Sequence, residues 1–436
     1  MSEGQQQGSR LDPWVDSYAK RTEGMKVSAI RALFSVATRP EVVSLAGGMP
    51  NLAALPMDDV GDMIGRLIKE QGEVALQYGS GQGVTKLREQ ICEVMKLSGI
   101  EGHPDDVVVT TGSQSALDLV TRLFCDPGDV VLVEAPSYVG ALGVFSAFQC
   151  EVVHVYTDEG GLNPEALDEA IKDVVAQGKK PKLIYTIPSF QNPLGITQSP
   201  ERRKQVLEVA LKHKVMVLED DPYCMLGFDG VVPRAIRADD AEGVIYLGSF
   251  SKSIASGLRV GWALAPHGVR EKLTLASESS VLSPSNFSQM TVSEYLSTQP
   301  WDQQLKAFRE MYRERRDVLI GAMEELLPAG CTWTVPEGGF FSWVTLPGGI
   351  NTTTMLPKAT ANLVAYVPGN GFYVDDEQGS DAMRVSYCFP PLDRIPEGVR
   401  RLAATIEAEQ ELIETFGPSA TKSRKSGPST PSPEIP

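Results

Sequence analysis

Histidine is scarce in this sequence. His103, His154, His213 and His267 never fall at metal-ligand spacing, so a zinc site or a histidine-based triad has little to build on. No metal site is expected. The cysteines Cys92, Cys125, Cys150, Cys224, Cys331 and Cys388 are scattered, with no CxxC pair. In a chain of 436 residues this reads as reduced thiols in a cytoplasmic protein, not as a disulfide frame. Positive charge is also short: 40 Lys and Arg face 56 Asp and Glu, a net charge of −16. The basic footprint of a nucleic-acid binder is therefore missing. No apolar run approaches the roughly 18 residues that a membrane span needs. The opening stretch Met1 to Leu11 is polar, which argues against a secretory signal. Gly (40) and Pro (30) stay below low-complexity levels, so the chain as a whole is expected to fold.

What is present is a rhythm of short apolar runs and helical patterns. Val107-Val108-Val109 precedes a helix-like Ser113 to Phe124, and Val130-Val131-Leu132-Val133 leads to a turn at Pro136. Leu183 to Ile187 runs into a Pro/Asn turn. Ser199-Pro200 reads as an N-cap followed by Pro at the first helical position, opening a helix to about Lys214. Val215 to Leu218 and Val244 to Leu247 complete the series. Such runs, separated by helices, predict an α/β fold with a mostly parallel sheet buried on both faces. A long charged helix is expected from Trp301 to about Leu327. Beyond Pro328, short strands at Phe340 to Val344, Ala365 to Val367 and Met383 to Tyr387, then a helix from Ile395 to Phe416, predict a smaller α+β domain. The segment 417–436 holds five Pro, five Ser and one large apolar residue, and is expected to be a disordered tail.

Ligands of open α/β sheets bind beyond the carboxyl ends of the strands. The residues there are Gly112-Ser113-Gln114, Pro136-Ser137-Tyr138, Gln191-Asn192-Pro193, Asp220-Asp221-Pro222-Tyr223 and Ser249-Phe250-Ser251-Lys252. Lys252 can form a Schiff base if its pKa is lowered, although a single lysine is more often a solvated charge. Asp220 can pair with a protonated pyridine nitrogen, and Tyr223 and Asn192 can reach a phenolic oxygen on the same ring. Glu219-Asp220-Asp221 reads equally well as a solvent-exposed acidic turn. Ser113 stands at a helix start, either as a phosphate site or as an ordinary N-cap. Ser249, Ser251 and Arg259 can complete a phosphate cup. Tyr138 can stack on a flat ring or simply pack.

Together these segments, with Ser189-Phe190-Gln191-Asn192-Pro193 and Gly257-Leu258-Arg259-Val260-Gly261, resemble the fold-type-I, pyridoxal-phosphate-dependent (PLP-dependent) aminotransferases of class I/II. Ser44 to Gly48, Ala75 to Tyr78, Glu337 to Phe340 and Arg384 to Tyr387 extend the likeness, which runs from about Ser28 to Glu411. It is greatest to the subgroup of 2-aminoadipate and kynurenine/aminoadipate aminotransferases. The resemblance implies pyridoxal 5'-phosphate held on Lys252, which also serves as the acid/base. Asp220 would meet the ring nitrogen, Tyr223 and Asn192 the phenolic oxygen, and Tyr138 the ring face. Ser113, Gln114, Ser249, Ser251 and Arg259 would hold the phosphate. Tyr78 would reach the site of the neighbouring subunit in a homodimer, and Arg384 beside Gly48 would clamp the substrate carboxylate.

The resemblance also implies that an N-terminal segment, residues 1–57, carries a lid helix and joins the small domain. A large cofactor-binding domain would follow at 58–328 and the small domain at 329–416. Ser28 to Arg31 matches the lid, where Arg31 either reads a distal substrate carboxylate or is solvated. The loop Leu282 to Asn286 is expected to line the pocket without adding a charge. Gly79 to Gly83 with Lys86 imitates a phosphate loop, but fits no such spacing and reads as an active-site loop. The expected reaction moves an amino group from an aminoadipate, kynurenine, aromatic or branched-chain L-amino acid to a 2-oxo acid such as 2-oxoglutarate. A C–S lyase or synthase on the same fold, or a non-enzymatic regulator domain, stands as the alternative.

Overall fold

The computed structural model describes residues 14–22 and 39–417. Arg31 with the rest of the expected lid helix, and the tail from 418 onward, lie outside the described residues. In chain order the strands are β1 Val43–Ser44, β2 Val107–Thr110, β3 Val130–Ala135, β4 Glu151–Asp158, β5 Gly161–Leu162, β6 Pro181–Thr186 and β7 Met216–Asp220. They continue with β8 Val244–Ser249, β9 Gly261–Leu264, β10 Thr332–Trp333, β11 Phe341–Thr345, β12 Val364–Ala365, β13 Val367–Pro368 and β14 Ala382–Ser386.

The large sheet has the order β2-β9-β8-β7-β6-β3-β4-β5. The pairs β3–β4, β3–β6, β6–β7 and β7–β8 are parallel, while β9 is antiparallel to both β8 and β2. The β-branched runs behave as expected of strands covered on both faces. Val131 and Val133 enter one hydrophobic cluster, and their alternates Val130 and Leu132 enter another. Two strands had no such signal. Gly261–Leu264 lacks β-branched residues, and Glu151–Asp158 is mostly half-buried.

Local chemistry sets the helix limits. Ser199 Oγ accepts from Arg202 N, Pro200 takes the first helical position, and Lys214 closes the helix Pro200–His213 in the left-handed region at φ 56°. The helix Ser113–Phe124 buries Ala116, Leu117, Leu119 and Val120 against the sheet.

The C-terminal unit is the antiparallel sheet β10-β11-β14-β13, covered by the helix Ile395–Phe416. The segment Ala365 to Val367 is not one strand. β12 pairs in parallel with β1, β13 pairs antiparallel with β14, and Tyr366 lies between them. Its hydroxyl donates to Thr352 O at 2.6 Å, which holds the crossing point. The helix Trp301–Leu326 ties the two units together. Leu305 packs in a cluster with Trp262 of β9, whereas Phe308, Tyr312 and Leu319 pack with Phe340 and Leu402. All candidate strand ends of the large sheet meet at one edge, facing this C-terminal unit.

Candidate active site

A cavity of about 270 Å³ lies at that edge. It is lined by Ser113, Gln114, Tyr138, Asn192, Asp220 and Tyr223 of the expected set. Ser249, Ser251, Lys252, Arg259, Arg384 and Gly48 of that set also line it. Pro222 of the strand-end segment lines it too, and Ile187, Ser256 and Phe341 line it without having been expected.

Ser113 is not the N-cap. The capping position belongs to Gly112, and no side chain caps the helix Ser113–Phe124. The N–H groups of Ser113 and Gln114 are thus left for a ligand, at the positive end of the helix dipole, while Ser115 N already donates to Gly112 O. Gly112 has φ 76°, and a Cβ there would sit 2.3 Å from Arg259 Nη2. Only glycine lets the guanidinium approach the turn. Gly261 meets the same limit, since a Cβ would stand 2.5 Å from Ser113 N. Arg259 Nη1 donates to Ser251 Oγ at 3.2 Å, and Ser251 N donates to Ser249 Oγ at 3.1 Å. Two hydroxyls, a helix start and a guanidinium therefore form one anion-seeking corner.

The Gln114 side chain has other work. Its Nε2 donates to Gly140 O at 3.0 Å and its Oε1 accepts from the Tyr138 hydroxyl at 3.1 Å. The Tyr138 ring is held on the cavity wall by this clamp.

Glu219-Asp220-Asp221 is no exposed turn. All three are buried, and Asp220 ends β7. Glu219 accepts from Ile236 N and Arg237 N, both at 2.8 Å. Asp220 Oδ2 accepts from the Tyr185 hydroxyl at 2.8 Å, whereas Asp220 Oδ1 is buried without a partner. Burial pushes the Asp220 carboxyl up to about 7; the Tyr185 hydrogen bond opposes that rise and Asp221 adds to it.

Lys252 Nζ donates to Gly48 O at 3.0 Å and lies 5.5 Å from the centre of the Phe340 ring. Burial lowers its pKa to about 8, and Arg384 and Arg259 push the same way. An amine with this pKa is a usable nucleophile and base near neutrality. Arg384 is 2% exposed inside β14. Its Nη2 donates to Ala46 O at 2.7 Å, its Nε is buried without a partner, and its guanidinium lies 4.1 Å from the Phe341 ring centre. A carboxylate ligand would satisfy that remaining donor.

Three segments expected near the site lie away from the cavity of this chain. Tyr78 is 77% exposed and does not line the cavity of its own chain. It borders a separate surface groove with Leu76 and with Ser283 to Phe287, so the expected pocket loop at 282–286 lies there too. The residues 79–83 also stay out of the cavity. Gln82 Nε2 is bound to the carbonyls of Asp105 and Val107, which ties this loop to the start of β2. Two buried residues went unnoticed in the sequence. Tyr185 looks like any strand aromatic. Glu134 looks like a strand-end charge, yet it accepts from Thr186 Oγ1, Ile187 N and Gln191 Nε2 and so braces the loop that carries Asn192.

The cavity suits a flat, phosphorylated pyridine. It offers an anion corner, an aromatic wall, an unpartnered buried carboxylate oxygen for a ring N–H, and an amine of lowered pKa.

Comparison with known proteins agrees. The family model for aminotransferase class I and II matches residues 41–402. Aromatic-amino-acid aminotransferase 1 of Thermococcus litoralis is 41% identical over 397 residues, covering 90% of this chain and 95% of that one. The 2-aminoadipate transaminase of Thermus thermophilus is 35% identical, covering 92% of this chain and 99% of its own. The solved structure of a Pyrococcus horikoshii kynurenine aminotransferase superposes with a TM-score of 0.87 at 39% identity, over 92% of this chain and 99% of that one. With its mostly parallel sheet, its strand-end lysine and carboxylate, and a family match along nearly the whole described chain, this protein belongs to the class I and II aminotransferases, PLP-dependent enzymes of fold type I.

Proposed function

We propose that this aminotransferase acts on L-2-amino acids with long or aromatic side chains, with 2-oxoglutarate as amino acceptor. The observation that carries the reading is the shared wall of Lys252, Asp220 and Arg384 around one cavity. PLP, when bound, supplies an electron-accepting ring. Lys252 would hold the cofactor until the substrate amino group displaces it, and its freed Nζ would then take the proton from the substrate α-carbon and hand it on in a 1,3-proton shift. Asp220 Oδ1 keeps the ring nitrogen protonated. Tyr223 and Asn192 donate to the phenolic oxygen, and the Oδ1 of Asn192 is already engaged by Arg384, which leaves its amide N–H groups for that purpose. Tyr138 covers the ring face, while Ser113, Ser249, Ser251 and Arg259 hold the phosphate. Gln114 adds its backbone N–H, since its side chain clamps Tyr138. Arg384 binds the substrate carboxylate beside Gly48. Ile187 and Phe341 extend an apolar wall for the side chain. The names of the aromatic, aminoadipate and kynurenine relatives support that substrate range. Within it, Arg31 of the lid segment would read a distal carboxylate.

The active unit we propose is a homodimer. The groove of Leu76 and Tyr78 is strongly exposed, at 72% and 77% for these residues, and a second copy would cover it and bring Tyr78 to the partner's phosphate. The domain limits 58–328 and 329–416 follow the same reading. Among the described residues no helix is long and apolar enough to cross a membrane. The cysteines stand unbridged, which fits the reducing cytoplasm we assign to the enzyme.

An absorbance spectrum of the purified holoenzyme tests the activity. L-2-aminoadipate, L-kynurenine or an aromatic amino acid is expected to abolish the band of lysine-bound cofactor, and 2-oxoglutarate to restore it. A band that none of these amino acids changes overturns the substrate reading.

A further inference from the structure

We propose that Tyr185 is a positioning residue for the reaction: its hydroxyl fixes Asp220 Oδ2, so that Asp220 Oδ1 alone faces the ring nitrogen as an anion. This rests on the reading of Asp220 given above.

Strand geometry puts the pair together. Tyr185 of β6 stands directly opposite Leu218 of β7. Side chains alternate along a strand, so Asp220 shares the face of Leu218 and is the diagonal neighbour of Tyr185. The hydroxyl reaches Asp220 Oδ2 at 2.8 Å. The ring that carries it has little freedom. Tyr185 is fully buried, and Phe145 packs edge-on against it with centroids 5.6 Å apart. The donor is thus fixed by the core, not by the ligand. The remaining carboxylate oxygen has no protein partner.

The neighbouring ionisable groups leave Tyr185 this role. Glu134 has its oxygens engaged by Thr186, Ile187 and Gln191. Asp221, next along the chain, raises the Asp220 carboxyl, and Tyr138 on the cavity wall is itself a protonated phenol held up by burial. Burial, with Asp220 beside it, keeps the Tyr185 hydroxyl protonated far above neutral pH, so it always donates. Among these neighbours only Tyr185 lowers the Asp220 carboxyl. Without it, the Asp220 carboxyl would rise further above about 7 and meet the ring nitrogen as a weaker partner.

The test compares Tyr185→Phe, Asp220→Asn and the double variant with the parent holoenzyme. Two quantities are read: the dissociation constant for PLP and the pH midpoint of the lysine-bound cofactor band. Tyr185→Phe is expected to weaken cofactor binding about tenfold, in the range of one hydrogen bond to a charged group. It should also raise the midpoint by at least about half a pH unit, because a less cationic ring repels the nearby protonated nitrogen of Lys252 less. In the Asp220→Asn background, Tyr185→Phe is expected to change both quantities by less than about twofold. A ring-fluorinated tyrosine at 185, a stronger donor of nearly the same shape, should move the midpoint down, and it keeps the test open if the phenylalanine variant folds poorly. If Asp220→Asn changes both readouts while Tyr185→Phe alters only the melting temperature, the inference falls and the reading of Asp220 stands. Additive effects in the double variant also sink it. If Asp220→Asn leaves both readouts unchanged, the reading of Asp220 fails and takes the inference with it.

Discussion

Arg384 Nη1 donates to Asn192 Oδ1 at 2.8 Å, across 192 residues of chain. One bond therefore links the residue proposed to hold the substrate carboxylate with a residue proposed to hold the cofactor. The guanidinium has the Phe341 ring centre at 4.1 Å and the Phe372 ring centre at 5.2 Å, so its plane is set before a ligand arrives.

Arg384→Lys keeps the charge and loses the fork. KM for the amino acid is expected to rise by about 10- to 100-fold, the value of charge-assisted hydrogen bonds that one ammonium cannot replace. Steady-state kinetics on a good amino donor decides this. Asn192→Ala should raise KM less, and should also shift the cofactor absorbance, because it alters both partners.

The pH dependence of the cofactor-free protein reports on Lys252. Burial takes its pKa from 10.5 to about 8. Between those values the unfolded chain holds a proton that the folded chain has released, so stability from this group rises with pH across that window. Below about 8 the charged amine is buried at a cost. The melting temperature of the parent apoprotein, measured against Lys252→Met, should gain from about pH 8 to pH 10. A constant difference would show that Lys252 keeps an ordinary pKa.

Gly112→Ala places a methyl where Arg259 Nη2 stands and forces φ 76° on a side chain that resists it. With ψ at 166° this is backbone that essentially only glycine adopts, and it costs another residue about 1–3 kcal/mol. The fold is expected to survive, while affinity for PLP falls about tenfold or more as the guanidinium is displaced. Equilibrium dialysis with PLP measures it.

The proposed sharing of sites between two subunits predicts complementation. Tyr78→Ala and Lys252→Ala subunits are each expected to be nearly inactive. Mixed and re-equilibrated, they should recover activity, since one site of each hybrid dimer has both residues. Recovery that fails although hybrids form would exclude a role for Tyr78 across the interface.

Much of this protein was legible in its residues. β-branched runs with helical spacers announced the parallel strands, because burial on both faces demands apolar side chains at every position. Ser199-Pro200 marked a helix start through local capping chemistry alone. The strand-end position of Lys252 and Asp220 followed from chain order, since parallel strands bring successive carboxyl ends to one edge. Other features depend on residues far apart. Whether Glu219-Asp220-Asp221 faces water or core is decided by the strands and loops laid over it. Tyr185 reads as packing until β6 and β7 align in register and bring its hydroxyl to Asp220. The split of Ala365 to Val367 between two sheets depends on partners from opposite ends of the chain. Sequence carries periodicity, caps and turns, which are local energies. Burial, carboxylate orientation and lowered pKa values arise only where distant segments exclude water together, and there the tertiary structure decided.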